Sequence, residues 1–272
     1  MRKFLFLMFL LSCPVAAYAD NVILMIGDGM GENHLKCADK AKPVYILSLP
    51  VKGTVYTRSA NAEITDSAAS ATAYSCGKKT NNYYLAKLPN AKDCLTIAEE
   101  AVQQNMPVGI YSTDYATGAT PSAFYAHTKD RKNNTEIEKY KQAAVKDMDI
   151  VVPAQNIANT VSIKLEKLSN NPEQKSFFAM FEGAKIDTYS HENRFKEMLA
   201  ELYDFDLGVM KAADFVYKHP DTTLIVLADH ETGGLNSECQ YTTPNHTGVE
   251  ISVYAYGKHA QLFEGKQDNT DI

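Results

Sequence analysis

At 272 residues, with 45% hydrophobic and 22% charged side chains, the chain can bury one sizeable core and is too apolar to be disordered throughout. The formal net charge is −6 and no basic stripe with interleaved aromatics occurs, which argues against nucleic acid as a partner. Beyond Cys13 the cysteines are Cys37, Cys76, Cys94 and Cys239, at spacings that fit no zinc ribbon.

Arg2 and Lys3 precede an apolar run, Phe4 to Leu11, and Ala17-Tyr18-Ala19 offers a small-x-small cleavage site before Asp20. That pattern is a secretory signal peptide, too short with its flanks to span a bilayer. Residues 1–19 are expected to be removed and 20–272 to form one domain in the periplasm or outside the cell, more acidic for the loss of two cations. Lipoprotein processing at Cys13, after Leu10-Leu11-Ser12, is disfavoured by Pro14. In an oxidising compartment the four later cysteines permit three pairings, and sequence leaves the choice open.

Asn21–Ile26 reads as a buried strand leading into Gly27-Asp28-Gly29, and Thr54–Thr57 as a short one. Ser67–Cys76 is Ala-rich and helical; Leu95–Gln104 is a helix that ends before Pro107. Val108–Ser112, Phe177–Phe181, Thr223–Ala228 and Glu250–Tyr256 are further strands, with a long helix over Asn193–Tyr217. The more polar stretch Lys129–Lys175, helical around Thr135–Lys146, is expected to be a surface excursion beside the main fold. Strands alternating with helices predict a single α/β domain, a mostly parallel central sheet with helices on both faces.

Asp28, Glu182 and Asp229 each fall at or just past the C-terminal end of a predicted strand, the edge where open α/β sheets bind ligands. His230 follows Asp229, Asp187 and His191 share a helical face by their i, i+4 spacing, and His246 precedes the last of these strands. Singly, such residues are helix caps, turn residues or surface histidines. Together at one sheet edge they would repel one another unless cations intervene, and mixed oxygen and imidazole donors suit zinc. His34, His219 and His259 are expected to be ordinary surface histidines, and His127 to pack near the site without binding metal. Gly27-Asp28-Gly29-Met30-Gly31 is no dinucleotide loop, because Glu32 stands where the third glycine belongs and Asp28 would face the pyrophosphate.

Thr65-Asp66-Ser67-Ala68 places a hydroxyl at the start of the Ala-rich helix, where unpaired N–H groups favour an oxyanion. Such a serine also caps helices. With no histidine base expected nearby, Ser67 needs a bound metal to lose its proton.

These blocks resemble the alkaline phosphatase family from Asn21 to the C-terminus. Asp66-Ser67-Ala68, Thr120-Pro121-Ser122-Ala123, Ala126-His127 with Arg131, Glu182 to Asp187, Ala228-Asp229-His230 and His246-Thr247-Gly248 come in the family's order. The ending, Tyr256-Gly257 through Asn269-Thr270, is similar to complete members and implies no truncation. The resemblance implies hydrolysis of phosphate monoesters through a phosphoserine on Ser67. It implies one zinc on Asp187, His191 and His246, holding the hydrolytic water. A second zinc on Asp28, Asp229 and His230 would take the serine oxygen. Thr120 and Glu182, with Asp28 shared, match a third, magnesium-type site; Arg131 matches the fork that grips phosphate, oriented by Asp66.

Two departures stand out. Family members usually carry Asp or His two positions before the threonine of the Thr-Pro pair, where this chain has Gly118, so the third site lacks a side chain. Thr188-Tyr189-Ser190 lacks the Lys, His or Trp often found beside that aspartate. Short segments at Lys129–Lys175 and Cys239–Pro244, where larger members carry insertions, imply a monomer or minimal homodimer. No Cys/Ser-x-Pro/Ala-x-Arg motif surrounds Ser67, which excludes a sulfatase; the alternatives are a phosphodiesterase or a non-catalytic zinc- or phosphate-binding protein.

Overall fold

The computed structural model describes residues 20–170 and 176–272; the expected signal peptide, 1–19, and Cys13 lie outside the described residues. The chain opens with β1 (Asn21–Gly27), α1 (Glu32–Ala41) and β2 (Val51–Tyr56). Next come α2 (Ser67–Cys76), α3 (Ile97–Gln103), β3 (Val108–Ser112), α4 (Ala119–Ser122), α5 (Asn134–Ala144) and β4 (Asp149–Val151). The second half holds α6 (Ile157–Ser169), β5 (Phe178–Gly183), α7 (Lys185–His191), α8 (Phe195–Lys218) and β6 (Thr222–Leu227). It closes with β7 (Glu231–Thr232), β8 (His246–Thr247), β9 (Ile251–Gly257) and β10 (Gly265–Asp268).

Eight strands form one sheet in the order β10-β2-β9-β6-β1-β5-β3-β4, and β7 pairs with β8 in a separate ribbon. Within the sheet only β9 runs antiparallel to its neighbours. Every residue of β3, β5 and β6 is buried, as a parallel sheet covered on both faces requires. The α1, α6, α7 and α8 helices make one covering layer, and α2, α3 and α4 the other. This is the predicted single α/β domain. Among the described residues no helix is long and apolar enough to cross a membrane.

The stretch Lys129–Lys175 departs from its expected role. β4 extends the sheet beside β3, and α6 buries Ile157, Val161, Leu165 and Leu168 against α8 and the sheet. Those four residues form one stripe at helical spacing; the polar residues between them dilute it in a linear reading. α6 also receives a cap from across the layer, where Asp204 Oδ2 accepts from Ile157 N at 2.7 Å. Among the strands not foreseen, β4, β7, β8 and β10 are two to four residues long, below what alternation can reveal.

The sheet register positions the site. Ile26 of β1 lies level with Glu182 of β5 on one side and Leu227 of β6 on the other, and Ser112 of β3 is level with Glu182. Asp28, Asp229 and Asp114 therefore each stand two residues past one row, at the C-terminal ends of neighbouring strands.

Candidate active site

Each of the α2 residues Ser67–Ser75 is buried, and all of them but Tyr74 are small, which lets the helix pack closely at the sheet edge. Asp66 is its N-cap, with Oδ1 accepting from Ala69 N at 3.0 Å, and Gly77 closes it in the left-handed conformation. Ser70 Oγ donates to the Asp229 carbonyl at 2.8 Å and Tyr74 OH to the Ala228 carbonyl at 2.7 Å. The helix that starts with Ser67 is thereby fastened to the loop that carries Asp229 and His230. Ser70 and Tyr74 share a face by i, i+4 spacing, the signal that could have marked them.

Asp28, Asp229 and His230 bring one ligand atom each within 4.8 Å of one another, and so do Asp187, His230 and His246. His230 thus adjoins both clusters, and its ring stacks on His246 with centroids 3.6 Å apart. Gly29, between the strand end and the clusters, has φ +70°, and a Cβ there would lie 2.9 Å from Asp187 Oδ1. Its N–H donates to Asp229 Oδ1 at 3.1 Å.

Sequence reasoning supplied Ser67 with no histidine; the structure puts His230 Nε2 3.3 Å from Ser67 Oγ. The protonation of that ring follows from its other contact. Thr232 Oγ1 gives its single proton to Asp187 Oδ1, so it accepts from His230 Nδ1 at 3.2 Å, which leaves the lone pair on Nε2. Burial drives the His230 pKa down to about 4, keeping the ring neutral. The lone pair faces Asp229 Oδ2 at 3.2 Å and Asp28 Oδ1 at 3.6 Å, neither of which has a hydrogen bond.

His191 and His246 repeat the pattern. Their Nδ1 atoms meet the carbonyls of Pro244 at 2.5 Å and Thr65 at 3.1 Å, both acceptors only, so each ring donates there. The two Nε2 atoms then face each other at 3.0 Å beside Asp187. Two imidazole lone pairs point at one another unless a proton or a cation separates them. Burial raises the Asp187 pKa, but the bond from His191 and the positive charge that the surrounding histidines carry once protonated prevail and hold it well below the usual range.

Buried acceptors without partners complete the picture: Asp28 Oδ1, Thr120 Oγ1, Glu182 Oε1 and Asp229 Oδ2 make no hydrogen bond. Burial first, then the charges of Asp229 and Asp187, push the Asp28 pKa well up; burial and then Asp114 do the same to Glu182. Such orphaned oxygens are expensive in a folded core, and divalent cations satisfy them. Both clusters and the Thr120–Glu182 region fit metal ions on this ground.

Arg131 Nη1 donates to Asp66 Oδ2 at 3.2 Å, and the same oxygen accepts from Tyr83 N at 3.1 Å. Arg131, Asp28, Asp187 and Thr188 line one open cavity of about 390 Å³. His127 sits apart, bonded to the Ala86 carbonyl and to Glu99 at 2.8 Å. His34 is no surface residue: it is fully buried, with Nε2 3.1 Å from Ser190 Oγ, because it lies on the inner face of α1. His219 stacks on Phe215 and His259 pairs with Asp20, both at the surface. The open cysteine pairing resolves as Cys37–Cys239 and Cys76–Cys94. Asp114 went unnoticed in the sequence, although the strand-end rule that picked out Asp28 reaches it too.

The family profile described as Alkaline phosphatase matches residues 19–165 and 148–243. Alkaline phosphatase 3 of Bacillus subtilis (strain 168) is 24% identical, with 93% of this chain and 87% of that protein covered. Alkaline phosphatase 4 of the same organism is 28% identical over 79% of this chain and 62% of its own. The solved alkaline phosphatase of the Antarctic bacterium TAB5 superposes with a TM-score of 0.85 at 25% identity, over 92% of this chain and 94% of that one. A variant of it, with a histidine replaced by glutamate and magnesium bound in its M3 site, matches at TM-score 0.84 and 26% identity over 93% and 95%. With its sheet-edge carboxylates and histidines gathered around a buried serine and its sequence matched over most of its length, this chain belongs to the alkaline phosphatase family and is a phosphatase of the hydrolase class.

Proposed function

We propose that the protein hydrolyses phosphate monoesters by double displacement on Ser67, with two zinc ions and a magnesium-type third ion. The observation that carries this reading is Ser67 Oγ lying 3.3 Å from a neutral His230 whose lone pair converges with unpartnered buried carboxylate oxygens. Asp187, His191 and His246 would hold one zinc; Asp28, Asp229 and His230 the other. Thr120, Glu182 and the shared Asp28 fit the third ion. Bound cations of this kind stabilise oxygens that gain charge and lower the pKa of a hydroxyl or water.

The chain's own groups do the rest. Arg131, held in place by Asp66, presents parallel N–H donors to two non-bridging phosphate oxygens. Ser67 Oγ loses its proton and bonds to phosphorus as the ester oxygen leaves and is protonated to the alcohol. The N-terminal end of α2, where Ser67 stands, favours the negative charge that develops on the attacking serine oxygen. Water then attacks the phosphoserine, inorganic phosphate leaves, and Ser67 regains its proton. A terminal monoester phosphate, with more oxygens free for Arg131 than a diester has, suits this grip. The two disulfides fit an oxidising compartment and support export. We take the functional unit to be a monomer or small homodimer.

The test is hydrolysis of p-nitrophenyl phosphate by chelator-stripped protein, then zinc, then zinc with magnesium, alongside Ser67→Ala. Activity should vanish with chelation, return with zinc, and fall about a thousandfold or more in the variant. Mass spectrometry of acid-quenched protein should find phosphate on Ser67. Undiminished turnover in Ser67→Ala, or preference for bis(p-nitrophenyl) phosphate, would refute the reading.

A further inference from the structure

We propose that Asp114 supplies the third divalent site with the carboxylate that position 118 lacks, delivered from the loop after β3 instead of the start of α4. The inference rests on reading the carboxylate cluster as a holder of cations.

Gly118 is where the side chain is missing. A Cβ built there would stand 1.9 Å from Asp114 Oδ2 and 2.4 Å from its Cγ. The volume a side chain at 118 would need is thus already filled, by a carboxylate. Asp114 is held in that position. Its N–H donates to Ser112 Oγ at 2.9 Å, and Ser112 in turn donates to Glu182 Oε2. Asp114 Oδ1 accepts from Tyr115 N at 2.7 Å, so Oδ2 is the oxygen left towards Gly118.

The surroundings point to a cation. Asp114 stands on the same row past the sheet edge as Asp28 and Asp229, and it lines the cavity that Asp28, Asp187 and Arg131 share. Thr120 Oγ1 and Glu182 Oε1 are fully buried and Asp28 Oδ1 nearly so, and all three lack partners. Asp114 is also the foremost charge acting on Glu182. A hydroxyl and carboxylates make an all-oxygen surround of the kind a hard cation such as magnesium takes while keeping part of its water. Asp114 is in neither group of ligand atoms that gathers within 4.8 Å among the described residues, so its carboxylate would hold the ion through that retained water. The other role open to Asp114, holding Arg131, is filled by Asp66 at 3.2 Å; among the described residues no ion pair joins Arg131 to Asp114.

Magnesium binding to the zinc-loaded enzyme, followed by calorimetry and by the magnesium-dependent rise in Tm, tests this directly. Asp114→Asn should weaken magnesium at least about tenfold while zinc content by elemental analysis stays unchanged. The relocation variant, Asp114→Ala with Gly118→Asp, should recover most of the affinity, because the vacated space then admits a side chain at 118. Gly118→Asp alone should clash with Asp114 and lower Tm. Wild-type magnesium affinity in Asp114→Asn would overturn the proposal. Should Asp114→Asn not fold, a folded relocation variant without magnesium affinity would overturn it equally. Loss of zinc-restored hydrolysis in the wild type would strike the functional reading itself, independently of where magnesium goes.

Discussion

Zinc affinity should fall with pH through the titration of His191. Its hydrogen bond with Asp187, with burial opposing, raises its pKa to about 8. A cation can take Nε2 only after the proton has left, so affinity is flat above that pKa and declines tenfold per unit below it. His230, at about 4, is already neutral and adds no break in this range. Between about pH 9 and about pH 6 the neutral fraction of His191 drops from about 0.9 to about 0.01, a loss of about 90-fold in affinity. The side chain is 39% exposed, so solvent screening draws the break back towards the ordinary value. A wholly unperturbed histidine would give about fourfold over the same interval. The part of the pH dependence that His191→Gln removes is expected to lie between these limits, with its break above pH 6.5. Competition against a chromophoric zinc chelator, repeated on His191→Gln, measures it. Flat affinity, a break at or below pH 6.5, or an unaltered slope in His191→Gln would refute the reasoning.

Asp66→Asn keeps an oxygen to cap α2 but turns an amide towards Arg131 and Tyr83 N–H, which both donate to Asp66 Oδ2. Losing hydrogen bonds to a charged group costs about 1.5–3 kcal/mol, so KM and the inhibition constant of inorganic phosphate should rise about tenfold or more, and kcat less. An unchanged KM would show that Arg131 does not depend on Asp66. Cys37→Ser with Cys239→Ser opens a link across 202 residues and should lower stability by about 2–5 kcal/mol in urea unfolding. The same pair should loosen zinc, since the loop that Cys239 anchors brings the Pro244 carbonyl to His191; unaltered zinc affinity would separate the loop from the site.

Much of the site was legible because its chemistry is written locally. An acidic residue directly after an apolar run marks a strand end, which found Asp28, Glu182 and Asp229. The i, i+4 spacing placed Asp187 and His191 together on α7, and Asp-Ser before an alanine run placed Ser67 at the start of α2, although the residue that caps the helix is Asp66 and not the serine. α6 was missed because a stripe of four apolar residues among polar ones is visible only once α8 lies against it. His34 was misjudged because burial of a helix face depends on which side the sheet occupies.

By itself, then, the sequence determined the α/β class and pointed to the acids and histidines at the sheet edge and to the candidate serine, since each reading follows from spacing within a few residues along one chain segment. Only the tertiary structure decided the rest. The level row through Leu227, Ile26, Glu182 and Ser112 depends on strand register. The facing Nε2 atoms of His191 and His246 depend on carbonyls of other segments, and the cysteine partners and the Asp114 carboxylate beside Gly118 on how loops return. Those contacts join residues that the backbone brings together only after the core has closed, and the hydrophobic burial that closes it is not directional.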